Sequence, residues 1–223
     1  DTGFGEITEQ QEEKERENAK SRWSRLEALF RLEGRQTRLA KNLVEHFEAR
    51  DDELDGKAMI VCMSRRICAE LYNEIIKLRP HWHHDDDDKG FIKTIISGNS
   101  SEEQLLQPHI RSRTRRQFIA ERFKDYEGKY APLKLAIVRD MWLTGFDVKP
   151  LHTMYIDKPM KGHNLMQTIA RVNRVFEDKE GGLIVDYASI GSDLKEALAH
   201  YSEGDRSTAG VNQDRAVQIL LTN

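Results

Sequence analysis

Cysteine is nearly absent from this sequence: Cys62 and Cys68 are the only two among 223 residues. No Cys/His spacing around them matches a zinc site. That argues against a disulfide scaffold or a structural zinc and leaves two reduced, inert core thiols of an intracellular, cytoplasmic protein. No apolar run approaches the length that spans a membrane, and no signal-peptide pattern opens the chain. The first residue is Asp1 rather than Met, so a piece of a longer protein is expected. An excess of basic charge is missing too. Thirty-five Lys and Arg against 38 Asp and Glu give a net charge of −3, so any nucleic-acid contact must come from a local patch. No internal repeat appears, and neither does a GxxxxGK[ST] phosphate loop.

What is present supports one substantial domain with extra helices. Apolar residues make up 38% of the chain, enough for a packed core, and charged residues 33%, enough for an extensively solvated surface. Residues 1–20 are polar and read as a frayed end or a solvated helix. Trp23, Leu26, Phe30 and Glu33 follow at helical spacing, with Gly34 as a stop. Leu39, Ala40, Leu43, Val44 and Phe47 form a second apolar stripe, and the acidic run Asp51–Gly56 reads as a linker. Residues 1–56 are therefore taken as a helical lead-in.

From Lys57 the pattern changes. Lys57–Met63 reads as a buried parallel strand, with Ser64 as the N-cap of a helix that buries Ile67, Leu71, Ile75 and Ile76 before Pro80. Further strands are expected at Phe91–Ser97, Leu133–Val138, His152–Asp157 and Gly182–Asp186. Strand and helix alternate, which predicts an α/β domain over residues 57–190 with a mainly parallel sheet flanked by helices. Residues 191–223 read as the start of a further helical region, with a last helix at 211–223. Ligands of such sheets gather at the carboxyl ends of the strands, where Ser64, Gly98, Asp140–Asp147 and Lys158 fall.

Two stretches invite chemistry. His81–Asp88 holds metal-ligand residue types, but adjacent ligands crowd rather than converge, so a solvated loop is expected. Arg111, Arg113, Arg115 and Arg116 form the one dense basic cluster. A solvated loop is again the commoner reading, with phosphate-backbone contact as the alternative.

The stretch Asp140–Arg174 carries most information. Gln167, Arg171 and Arg174 are spaced four and three residues apart, which places three long polar side chains on one helical face. Guanidinium forks bind phosphate oxygens bidentately and do not deprotonate. Alone, such a face is more often simply solvated. Its context is a set of ordered motifs: strand–Ser64, strand–Ser97–Gly98, Thr144-Gly145-Phe146-Asp147 and Gln167-x-x-x-Arg171-x-x-Arg174. This set resembles the second RecA-like motor domain of superfamily 2 helicases. Asp140–Asp147 (DMWLTGFD), Tyr155–Pro159 (YIDKP), His163–Arg174 (HNLMQTIARVNR) and Leu183–Tyr187 (LIVDY) narrow the resemblance to the restriction (R) subunit of type I restriction enzymes. It covers roughly residues 57–202.

The resemblance implies roles residue by residue. Arg171 and Arg174 would act as arginine fingers on the γ-phosphate of ATP, with Gln167, Gly145 and Asp147 in the same cleft. Ser64, Arg65, Gly98 and Thr144 would contact DNA. Most superfamily 2 proteins have Gly before the first motif arginine, where this chain has Ala170. Each residue also has a plain structural reading: Gly145 permits a turn, Asp147 caps a bend, Ser64 is an N-cap, and Met141, Trp142 and Met166 pack. With no phosphate loop, ATP and Mg²⁺ would be held mainly by a first motor domain absent from this chain. The resemblance implies a half motor for translocating double-stranded DNA before a nuclease domain cuts it, inactive alone, with modification and specificity subunits as partners. Two other readings stay open: the motor half of another superfamily 2 helicase or remodeller, and a non-catalytic docking module using the Trp23/Phe30 and Leu43/Phe47 stripes.

Overall fold

The computed structural model describes residues 2–172, 181–189 and 219–220. Two helices, α1 (Thr2–Phe30) and α2 (Arg35–Glu53), lead into β1 (Lys57–Cys62). Gly34, at φ 72°, turns the chain between them in the left-handed region that glycine adopts without a steric cost. Then follow α3 (Arg65–Leu78), β2 (Ile92–Ile95), α4 (Arg113–Lys124), β3 (Leu135–Val138), β4 (Leu151–Asp157), α5 (Gly162–Val172) and β5 (Leu183–Asp186). The strands order as β2-β3-β1-β4-β5, all parallel, and a two-residue β6 (Ile219–Leu220) adds to the β5 edge. The expected class, an α/β fold with a mainly parallel sheet flanked by helices, is the one observed.

Every residue of β1 to β5 is buried. Such strands need apolar side chains on both faces, which is why they read as continuous apolar runs. Alternation then divides the side chains between two cores. Ala58, Ile60 and Cys62 join α2 and α3 on one face, while Met59 and Val61 join α4 and α5 on the other. α2 belongs to the first core in full: Leu39, Ala40, Leu43, Val44 and Phe47 are all buried there. Its helix continues through Asp51–Glu53, so the first half of the acidic run expected to be linker is its last turn. The ammonium of Lys134 pairs with Asp51 at 2.6 Å, which gives that turn an anchor on the sheet. The helix expected at 211–223 lies outside the described residues except at Ile219–Leu220, which pair as strand instead.

Cys62 and Cys68 are free and fully buried. A hydrogen bond between them, together with burial, raises the Cys62 thiol well above its ordinary range, which keeps it protonated and unreactive.

His109 is buried with its ring edge-on to Tyr72, the centroids 4.7 Å apart. Burial pushes its pKa down to about 4, from an ordinary 6.5. Between those values the unfolded chain takes up a proton that the folded chain refuses, so stability falls as pH drops from about 6.5 to about 4. At about pH 5 the expected cost is about 2 kcal/mol. Urea midpoints at pH 7 and 5 should show that loss in the wild type and a much smaller one in His109→Leu. Equal acid losses in both proteins would assign the effect to other groups.

Candidate functional site

The carboxyl ends of the strands form one rim. β1 and β4 are neighbours whose following helices, α3 and α5, cover opposite faces, so the crevice above them is a topological switch point. Ser64 caps α3 there, its hydroxyl accepting from the Ile67 N–H at 3.2 Å. Arg65, the first residue of α3, reaches across to the end of β2. It donates to the Ser97 carbonyl at 2.7 Å and to both carboxylate oxygens of Glu102, at 2.7 and 3.2 Å. Gly98 stands beside these groups because nothing larger fits: a Cβ would lie 2.7 Å from Ile110 Cδ1. Ser64, Arg65 and Gly98 thus gather at one corner of the rim, with the Arg65 fork already held by Glu102.

The second group lies on the α5 side. After β3 the chain forms no helix or strand until β4 begins at Leu151. Two residues three apart hold this segment in the left-handed region, Trp142 at φ 71° and Gly145 at φ 67°. The tryptophan conformation is uncommon for a bulky residue. It is supported by stacking on Phe146 at 4.4 Å and on Phe123 at 5.5 Å, and Met141 packs against the same core. The turn this creates leaves Thr144, Gly145 and Asp147 exposed.

α5 packs Leu165, Thr168, Ile169 and Val172 inward and turns its polar face toward that turn. Arg171 donates from Nε to the Leu143 carbonyl at 3.4 Å, so the arginine helix and the turn meet. Gln167, one turn earlier, lies 2.7 Å from His163 Nε2. Arg174 lies outside the described residues. Thr144, Gly145, Asp147, Gln167 and Arg171 therefore form a second group, built around α5 and the turn.

Three features were not anticipated from sequence. Arg35, the first residue of α2, donates to both carboxylate oxygens of Asp157, at 3.1 and 2.5 Å, beneath the switch point. Asp157 is fully buried. Burial raises its pKa, and the Arg35 guanidinium only partly offsets this. Lys158, the next residue, pairs with Asp140 and ties the β4 end to the start of the turn segment. The acidic loop is also not simply solvated: Asp87 is buried and accepts from Arg111 at 2.5 Å and from Arg115 at 2.6 Å. Burial opposes the charge of Asp87, but Arg111 and then Arg115 hold its carboxyl below its ordinary value. Arg116 donates to the Arg111 carbonyl at 2.5 Å. Much of the basic cluster therefore serves the fold, with Arg113 exposed.

Comparison with known proteins points to one family. A family model described as type I restriction enzyme subunit R domain 3 matches residues 36–189. The HindI endonuclease subunit of a type I restriction enzyme from Haemophilus influenzae is 50% identical over 179 residues, which is 79% of this chain and 17% of that protein. A Methanocaldococcus jannaschii protein, described as the MjaIXP endonuclease subunit of a type I restriction enzyme, is 44% identical over 209 residues, 92% of this chain and 19% of its own length. The chain thus spans about a fifth of the length of these curated relatives. Among solved structures, a fragment from Vibrio vulnificus YJ016 described as an HsdR subunit of a type I restriction enzyme superposes with a TM-score of 0.52. It covers 87% of this chain and 33% of its own, and its 18% identity makes it a likeness of fold alone.

Proposed function

The chain belongs to the type I restriction enzyme subunit R domain 3-like family, and on that premise we propose that it is the C-terminal motor domain of an ATP-dependent DNA translocase within such an R subunit. In this reading the parent protein is a type I site-specific deoxyribonuclease that works in the cytoplasm with modification and specificity subunits. Its first motor domain cradles ATP, and its nuclease domain cuts double-stranded DNA after translocation.

Within that cycle the present residues have divided tasks. Arg171 and Arg174 approach the γ-phosphate across the interdomain cleft and stabilise charge that develops as the phosphoryl group transfers. Gln167 orients polar groups beside them, and Gly145 and Asp147 line the cleft from the exposed turn. Thr144 and Ser64 meet DNA phosphates through hydroxyl or backbone N–H groups, with Gly98 allowing close backbone approach. Arg65 joins them only by exchanging Glu102 for a phosphate.

The donor set suits phosphate oxygens: forked cations, an amide and an exposed turn. Among the described residues no group of three or more His, Cys, Asp or Glu is placed to hold a metal ion. Mg²⁺, which would neutralise phosphate charge when bound, would in this reading take its ligands mainly from the first motor domain. This chain alone should be inactive.

The observation that carries the reading is the 3.4 Å bond from Arg171 Nε to the Leu143 carbonyl. It holds the Arg171 side chain against the exposed Thr144–Asp147 turn, which supports the reading that one movement of the cleft engages both. The test is ATP hydrolysis by the parent protein with and without long duplex DNA. Strong stimulation by DNA is expected, with no turnover from the 223-residue chain alone. A parent rate indifferent to DNA, or robust turnover by this chain, would sink the proposal.

A further inference from the structure

At the end of the sheet opposite the candidate site, a cleft of about 330 Å3 opens between the start of β1 and the loop after α4. Its floor is buried and includes Gly56, Lys57 and Leu133, while its rim, at Tyr126 and Gly128, is exposed. Gly56 is pressed so closely against β4 that a Cβ would lie 2.3 Å from the His152 ring. That contact fixes the backbone that carries Lys57.

Lys57 itself is only 7% exposed. Its ammonium donates to the Arg122 carbonyl at 3.0 Å and faces the Phe123 ring at 5.6 Å. Among the described residues it forms no ion pair, so one hydrogen bond serves three N–H donors. Two other lysines of low exposure make more polar contacts, although burial brings the Lys93 pKa down to about 8 as well. Lys134, on the same cleft, is held by the carboxylates of Asp51 and Asp55. Lys93 donates to two carbonyls, at 2.5 and 2.7 Å. A buried ammonium without a carboxylate is costly, and the cost falls when it gives up its proton.

We propose that Lys57 is a nucleophilic lysine, a site at which the native protein is acylated by small acyl phosphates that enter this cleft. The neutral amine attacks the acyl carbonyl carbon. A C–N bond forms, the C–O bond to phosphate breaks, phosphate leaves with that electron pair, and the nitrogen loses one proton to water. The product is an uncharged amide lodged between the start of β1 and the end of α4.

Burial supports the free amine first. Asp125 opposes it, Arg122 and Lys134 favour it and Asp55 opposes it, and the balance brings the Lys57 pKa down to about 8. Tyr130 and His152 complete the ionisable lining. Against an ordinary 10.5, this leaves on the order of a hundredfold more free amine near neutral pH.

The test is a time course with acetyl phosphate at about pH 7.5, read lysine by lysine by mass spectrometry, on the native protein and again in urea. In the native protein Lys57 should be acetylated at least about tenfold faster than the exposed Lys41 and Lys129, with a rate that rises through about pH 8 and levels off. In urea it should react no faster than those two. Native acetylation of Lys57 at or below the rate of Lys41 and Lys129 would overturn the proposal. So would an advantage that survives unfolding, because the reactivity would then belong to local sequence rather than to the cleft.

Discussion

Replacing Arg171 with alanine in the parent protein should lower DNA-stimulated ATP hydrolysis roughly 10³-fold or more while leaving the domain folded. The reasoning starts from chemistry. Charge that builds on the transferring phosphoryl oxygens needs a fixed cation in a water-excluded cleft, and a guanidinium supplies two aligned donors that an ammonium cannot. Arg171 is half-buried, and its Nε bond to the Leu143 carbonyl ties it to the turn. Arg171→Lys should therefore recover little of the lost rate, although it keeps the charge. Arg174→Ala should lose a comparable factor, because the two arginines lie three residues apart in the motif. ATP affinity measured without DNA should change far less than turnover, since a transition-state contact acts mainly on rate. An unchanged rate in both alanine variants would return this face of α5 to an ordinary solvated surface. The parallel fold would then stand without the motor reading.

The parts of this molecule that could be read in the sequence are those whose cause is local. β1 and β4 are continuous apolar runs because both of their faces are covered, and Ser64 announces α3 because its hydroxyl satisfies an N–H three residues later. The candidate site was legible in a different way. Spacing places Gln167 and Arg171 on one helical face, but their assignment, and that of Thr144–Asp147, came from the family resemblance.

What escaped was made by distance. Arg35 and Asp157 are 122 residues apart, and no periodicity links them, yet their pairing braces the end of β4 just before α5. The acidic loop looked solvated because its partners, Arg111 and Arg115, lie 24 and 28 residues downstream. Those arginines in turn looked available for a nucleic acid because their carboxylate could not be seen from their own neighbourhood. Charge runs report composition, and only the fold decides which members are spent internally.

Arg122 shows the largest internal use of charge. It is 1% exposed, and its guanidinium donates to four backbone carbonyls: Asp87 at 2.5 Å, Lys89 at 3.1 Å, Gly90 at 3.3 Å and Ala131 at 2.9 Å. No carboxylate bonds to it, and burial lowers its pKa, so its charge is tolerated through these carbonyls rather than neutralised. The side chain acts as a clamp. It fixes the 87–90 loop from one side while Arg111 and Arg115 hold the Asp87 carboxylate from the other. Arg122→Met nearly preserves the apolar stem but leaves all four carbonyls without this donor, in a place where water reaches poorly. The expected loss is about 3–5 kcal/mol, read as a lower urea midpoint at unchanged slope. Arg122→Lys should fall between, because three donors on a flexible stem cannot span four fixed acceptors. A loss below about 1 kcal/mol for the methionine variant would mean that the loop rearranges or hydrates freely, and the clamp would lose its structural standing. A full loss would show that a buried arginine, one helix face away from the exposed basic cluster, is a keystone of the fold.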